Sequence, residues 1–335
     1  HNIENAVKSI DFYDFLINGV ICFILTSSAL KFKISDLRNH WKPIGILATI
    51  ALVLCAVLFA GLLFGFQYLI GNPVPILVLL LLGSALGATD PIGIKGVLSS
   101  VRAPHHLIVK LEGESLFNDA MCIAVFMTLL NVLKGEHFSL VGTIENFLYE
   151  IVVAVIIGWA FGVGILRLLR GKHEMESLIL TTALLASGAY LVSLFAHASA
   201  PIACVIGGLI VGNKWKEILQ EREIREVNHF WHTVEGIINS FLFTLIGLEL
   251  FILDLSTSMI LGGIFAFIAL HISRFVANFL SFSFFPSFKH KSYNGSLAIL
   301  SWGGVRGGIS LALILAVANV PELRDYSSIL IGYTF

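Results

Sequence analysis

The amino-acid sequence predicts an all-α polytopic membrane protein of about ten spans, on three observations. Hydrophobic residues fill 57% of the 335 positions and charged ones 13%, with a mean hydropathy of +0.89; about a quarter of a soluble domain is charged. Apolar runs near the ~20 residues that cross a bilayer as a helix recur along the chain. Basic residues fall in every second loop between those runs, as they do when alternate loops face the cytoplasm.

The runs lie at 12–30, 44–70, 75–98, 107–133, 146–169, 177–197, 200–213, 229–253, 257–285 and 294–319, the seventh short enough to be tilted or interfacial. After the first come Lys31, Lys33, Arg38 and Lys42; after the third, Arg102 and Lys110; after the fifth, Arg167, Arg170 and Lys172; after the seventh, Lys214, Lys216, Arg222 and Arg225; after the ninth, Lys289 and Lys291. The remaining loops hold only Lys134 and Arg324. The first span therefore starts outside, and a miscount in the middle would scramble the alternation. The seventh loop interleaves its bases with Glu217, Glu221, Glu223 and Glu226, so 214–228 is expected to be an amphipathic, solvated cytoplasmic helix.

Several function classes fall away. A net charge of -1 without a long basic face offers nothing to neutralise phosphates, so no nucleic-acid partner is expected. Cys22, Cys55, Cys122 and Cys204 sit singly inside apolar runs without CxxC spacing and read as small buried hydrophobes. HExxH, GxSxG and a His cluster with ligand spacing are missing, which argues against a membrane enzyme and against a cofactor. Glu249, His197, His232, Glu235 and His271 lie in or near spans without metal-site spacing and are expected to pack or hydrogen-bond, while His105 and His106 fall in a cytoplasmic loop. The chain has neither an initiator Met nor a signal-peptide pattern over 1–11, and another apolar run starts at Ser327, so both ends are expected to be incomplete.

Two spans are interrupted. The third contains Gly83, Gly87, Ala88, Thr89, Asp90, Pro91 and Gly93; Pro91 removes a helical donor and the glycines ease unwinding. The tenth contains Ser301-Trp302-Gly303-Gly304-Val305-Arg306-Gly307-Gly308. By the loop count the two run in opposite directions. Broken helices at inverted positions of two halves point to a secondary transporter with a mid-membrane site, since unwound backbone survives there only where protein or a water-filled cavity satisfies it. Asp90 is assigned to compensate exposed helix N-termini and Arg306 to compensate C-termini.

The fourth span opens on Leu111-Glu112-Gly113-Glu114-Ser115-Leu116-Phe117-Asn118-Asp119. Glu114, Ser115, Asn118 and Asp119 share one helical face through i+3 and i+4 steps, whereas Glu112 belongs at the membrane edge. An intramembrane carboxylate marks an ion path by default, and Asp119 is able to hold either a proton or a small cation. Burial favours the proton and a cation displaces it, so mutually exclusive occupancy is itself an exchange mechanism. Hard monovalent cations want oxygen ligands, which Ser115 and Thr89 supply beside Asp119. Asn118 hydrogen-bonds without titrating, which favours one cation for one proton. Glu114 requires a partner if ionised, and Arg274 in the ninth span is the candidate.

These motifs resemble the monovalent cation/proton antiporters of the NhaP and sodium/proton exchanger type: Ala88-Thr89-Asp90-Pro91, Glu112 to Asp119, Phe241-Leu242-Phe243-Thr244-Leu245-Ile246-Gly247-Leu248, and Gly303 to Leu313 occur in matching order across nearly the whole chain. The resemblance implies an inverted-repeat antiporter fold with two discontinuous, crossing helices. Its core spans would be 44–133 and 257–335, with 12–30 and 146–253 contributing to scaffold, dimerisation and core. It implies a lipid-embedded homodimer in a bacterial or archaeal plasma membrane that works by an elevator-like movement in sodium transport and pH homeostasis. Asp119, Asn118, Ser115 and Thr89 would form the cation/proton site, with Glu114 and Arg274 as a structural pair and only the transported Na⁺, Li⁺ or K⁺ and H⁺ as ligands. Relatives often carry a carboxylate where this chain has Thr26, Ser27 and Ser28, and they have further spans at both ends. The alternatives are a cation channel and a transport-inactive sensor on the same scaffold.

Overall fold

A computed structural model describes residues 20–89, 105–135, 140–171, 174–252, 256–284, 293–302, 307–318 and 320–334. Among them every regular element is helical: α1 Ile21–Lys31, α2 Ile34–Ile46, α3 Leu52–Leu69, α4 Ile76–Ala85, α5 His105–Leu133, α6 Leu140–Leu168, α7 Met175–Phe195, α8 Ala200–Lys214, α9 Glu221–Ile252, α10 Thr257–Phe284, α11 Tyr293–Trp302, α12 Gly308–Ala318 and α13 Ser327–Thr334. Five helical stretches are long and apolar enough to cross a membrane, namely Ile34–Leu69, Leu107–Leu133, Val141–Leu168, Met175–Phe195 and Thr257–Ser283. Ile21–Lys31 and Ile76–Ala85 are shorter apolar helices. The ten runs of the sequence are thus carried unevenly: α8 has 15 residues, and the tenth run is divided between α11 and α12.

The chain divides into two compact units, His1–Asn39 with Phe138–Phe243 and His40–His137 with Thr244–Phe335. In the first unit α8 is the central strut, because small residues let backbones approach closely. A Cβ added at Gly212 would run into the Leu30 carbonyl of α1, and one at Gly208 would lie 2.7 Å from the Ala29 Cβ. On its other side α8 meets α6, where Gly158 faces the Ala203 carbonyl and Gly162 faces Ile210. Around this strut Leu30, Ile165, Leu169, Leu185, Val211, Trp215, Val227 and Trp231 form a buried cluster. Polar side chains tie it together: Glu235 on α9 accepts from Lys31 at 2.9 Å and Ser27 at 3.0 Å on α1, and the Trp231 indole donates to Thr182 on α7 at 3.0 Å.

Two expectations change here. The segment 214–228 is not a separate helix: Trp215–Glu217 form a 3₁₀ turn, and from Glu221 the chain is already α9, continuous with the eighth span. Its charged residues mask an apolar stripe, Ile224, Val227 and Trp231, spaced i, i+3 and i+7 and buried against the unit's core. His197 is not inside a helix but exposed at the end of α7, in the left-handed region with φ 49°. The Ala198 N–H reaches back to the Ser193 carbonyl at 2.8 Å, the pattern that closes a helix end.

In the second unit His40 leaves helical geometry inside α2, with φ -127° and ψ 19°. Pro43 explains this kink, because its ring excludes the carbonyl four residues earlier and it has no N–H to donate. A π-helical turn, Leu47–Ala51, then leads into α3. Gly83 of α4 packs 2.9 Å from the Ala56 carbonyl of α3, measured from the Cβ it lacks. Phe66 of α3 stacks on Phe265 of α10 at 4.2 Å, and Gln67 donates to the Tyr333 hydroxyl of α13 at 2.9 Å. Gly262 of α10 makes room for the Tyr333 ring. The first contact holds the short helix α4 against α3, and a buried cluster of Leu47, Ala51, Leu111, Phe282, Leu297 and Leu300 holds the short helix α11 among longer ones.

Candidate functional site

Helix α4 stops at Ala85 inside the second unit, and its last carbonyls have no helical partner. Leu86 and Gly87 form a turn, with their N–H groups bonded to the Leu82 and Ser84 carbonyls at 2.9 and 3.1 Å. Ala88 and Thr89 are non-helical and buried, and the break expected in the third span is seen here at its start. Bare carbonyls at this depth are costly unless protein supplies donors. Side chains supply them: Asn118 donates to the Gly87 carbonyl at 2.8 Å, Ser310 to that of Ala88 at 3.2 Å and Ser115 to that of Thr89, while Cys122 adds a second donor, at 2.7 Å, to the Ser84 carbonyl already held by the Gly87 N–H.

Three of those donors stand on one stripe of α5. Ser115, Asn118 and Cys122 are spaced i, i+3 and i+7, so a single helix face lines the unwound segment. The Gly87 carbonyl only accepts, and so requires the amide nitrogen of Asn118. That nitrogen also lies 3.3 Å from the Thr89 hydroxyl. The amide oxygen is thereby turned away from Gly87. It is fully buried and has no hydrogen-bond donor among the described residues. The adjoining Asp119 is half-buried and lies one turn before Cys122 on the same helix. A buried acceptor and a hydroxyl are therefore gathered at the end of the broken helix, and Asp119 follows Asn118 on the helix that lines it.

Glu114, on the same helix, meets Arg274 of α10 at 2.6 Å, both almost completely buried. The guanidinium also reaches the Leu300 carbonyl at 3.4 Å through two nitrogens. Leu300 lies two residues before the end of α11, so Arg274 brings positive charge to that helix's C-terminal, partially negative end. One turn along α10, Asn278 donates to Ser301 at 3.2 Å. Removing one member of such a buried pair exposes the other as an uncompensated charge, at about 3 to 5 kcal/mol.

Asp90 and Arg306, assigned to compensate the helix breaks, lie outside the described residues, as does the segment Gly303–Gly304–Val305. Glu112 is half-buried on α5, and Glu249 belongs to α9. His271 packs against Phe267 at 4.3 Å and against Trp302 at 6.0 Å. Sequence reasoning missed two residues. Cys122 is more than the small hydrophobe it resembles, and its i+7 spacing from Ser115 was the available signal. Ser310 has no spacing signal of its own beyond its nearness to Gly307 and Gly308.

Known proteins sharpen this picture. The profile of the family described as sodium/hydrogen exchanger, transmembrane, matches residues 3–335. The chain is 35% identical over 334 residues to the Na⁺/H⁺ antiporter NhaP of Pseudomonas aeruginosa, covering 96% of this chain and 77% of that protein. It is 30% identical to the antiporter NhaG of Bacillus atrophaeus and 31% identical to the low-affinity antiporter NhaS1 of a Synechocystis strain, each over 90% of this chain but only 57% and 58% of those proteins. Two structures of the sodium proton antiporter MjNhaP1 from Methanocaldococcus jannaschii share the fold, with TM-scores of 0.77 and 0.71 at 20% and 22% identity over 94% of this chain and 79% and 78% of theirs.

Proposed function

The chain belongs to the transmembrane sodium/hydrogen exchanger family, a family of transporters rather than enzymes, and from that premise we propose that it exchanges a monovalent cation for a proton, electroneutrally, at Asp119. Na⁺ is the leading substrate, with Li⁺ and K⁺ as further candidates. The single observation that carries the reading is the buried amide oxygen of Asn118, held beside Asp119 with no protein donor among the described residues. An oxygen that accepts nothing from the protein is a ready ligand for a hard cation.

The geometry supports the following roles. Asp119 carries one negative charge that either a proton or a cation neutralises, so occupancy by one excludes the other. Thr89 and Ser115 place oxygen atoms along the same stripe, and the Thr89 carbonyl keeps a second lone pair after accepting from Ser115. Asn118 contributes no titrating group, so the site changes its charge by one in either cycle and the net transfer is neutral. Glu114 stays compensated by Arg274 and takes no part in proton transfer.

Alternating access requires a body that carries the site. The division of the chain into two units, with every site residue in the second, supports that mode of action. A homodimer in a bacterial or archaeal plasma membrane completes the proposal. The test is proton release: adding Na⁺ to the purified protein in weakly buffered detergent releases protons from wild type and none from Asp119→Asn. Na⁺ binding without proton release favours a channel or a sensor, and equal release from Asp119→Asn moves the site to another carboxylate.

A further inference from the structure

Ser310 is the third residue of α12, and it is completely buried. Its hydroxyl donates to the Ala88 carbonyl, 222 positions earlier, at 3.2 Å. The carbonyls on either side, Gly87 and Thr89, are held by Asn118 and Ser115 of α5. The partners alternate: α5 holds the outer two carbonyls and α12 holds the middle one. The peptide joining Ala88 to Thr89 is thus clamped from both sides.

We infer that Ser310 is a positioning residue for the cation ligands of Thr89, so that cation affinity depends on α12. The inference rests on the exchange reading given above. Its physical content is directional. Without the hydroxyl, the buried Ala88 carbonyl loses its donor and the peptide is free to turn toward another. That rotation carries the Thr89 N–H and side chain with it, away from the amide of Asn118. The cation, which needs several oxygens at once, loses affinity. The proton, which needs Asp119 alone, does not. Ser310→Ala is therefore expected to raise the half-saturating Na⁺ concentration about five- to tenfold, the equivalent of one hydrogen bond, while leaving the maximal rate and its pH profile at saturating Na⁺ within twofold of wild type. Ser310→Thr keeps the hydroxyl and stays near wild type; Ser310→Cys, a weaker donor of similar size, falls between.

The experiment measures Na⁺ dependence twice on the full chain, as Na⁺-driven proton flux in proteoliposomes and as Na⁺-dependent thermal stabilisation in detergent. Thr182→Ala, which loses an equally buried hydroxyl from the other unit, controls for general destabilisation. A rise in half-saturation for Ser310→Ala in both assays, rescued by Ser310→Thr, supports the inference. Unchanged half-saturation, or an equal shift in Ser310→Thr, overturns it while exchange by wild type stands. If Ser310→Ala does not fold, Ser310→Cys decides on the same criterion. If Na⁺ stabilises wild type without driving protons, the exchange reading fails and the thermal assay still decides the role of Ser310. If Na⁺, Li⁺ and K⁺ do nothing to wild type in either assay, both readings fall together.

Discussion

Removing Arg274 should expose the energetic core of the site. Its guanidinium is the partner of the buried Glu114 carboxylate at 2.6 Å and a donor to the Leu300 carbonyl. In Arg274→Met, Glu114 is left almost completely buried without its cationic partner, which destabilises by about 3 to 5 kcal/mol. Glu114→Leu leaves the guanidinium in the same position and is expected to cost about as much. The double variant removes both charges together and retains only the loss of Leu300's donor, so it should fall by about 1 to 2 kcal/mol. The assay is thermal unfolding of the purified chain in detergent. Each single variant is expected to melt roughly 6 to 15 °C lower and the double variant only a few degrees lower, and exchange by the double variant would separate stability from turnover. Single losses that simply add in the double variant, or single losses below about 1 kcal/mol, would refute the reasoning, because close pairs couple and independent sites do not.

Three further outcomes follow from named contacts. Cys122→Val deletes one of two donors to the Ser84 carbonyl and, with the Gly87 N–H still in place, should destabilise by about 1 kcal/mol or less, whereas Cys122→Ser keeps both donors and should stay closer to wild type; melting temperatures compare them. Gly212→Ala would press a methyl into the Leu30 backbone and should lower stability by about 1 to 3 kcal/mol, whereas Gly164→Ala meets nothing within 4 Å and, as a helical Gly→Ala change, should be neutral or slightly stabilising. If a proton and a cation compete for Asp119, then on the acid side of its titration each unit of falling pH should raise the half-saturating Na⁺ about tenfold while the maximal rate at saturating Na⁺ holds, since binding that displaces a proton is pH-dependent in that proportion. Flux measured at several pH values reads this directly, and a pH-independent half-saturation contradicts competition.

What the sequence disclosed, and what it hid, has a physical pattern. Glu114, Ser115, Asn118 and Asp119 stood out because polar groups inside an apolar run are expensive and need a reason. The break near Gly87 was legible for a related reason, since Gly and Pro interrupt helices whatever surrounds them. The caps on the broken helix were not legible. Cys122 and Ser310 act through carbonyls 38 and 222 positions away, and a serine in a helical pattern reads the same whether it faces a neighbour or its own backbone. Arg274 was assigned a single partner, whereas its fork also covers Leu300 near the end of α11; a guanidinium with five donors seldom serves one acceptor. The start of α9 was hidden by its own surface: the salt-bridged pair Arg222 and Glu226 advertises solvent, while Ile224, Val227 and Trp231 on the opposite face carry the packing.

The central claim is that one carboxylate, Asp119, alternates between a cation and a proton. Its most direct test imposes Na⁺ gradients on proteoliposomes that hold a pH dye, with the membrane voltage clamped, and compares wild type with Asp119→Asn. The account predicts proton movement against the Na⁺ gradient in wild type, at a rate that does not change with voltage, and none in Asp119→Asn. Sodium flux without proton movement, a rate that follows the imposed voltage, or undiminished exchange by Asp119→Asn would contradict it.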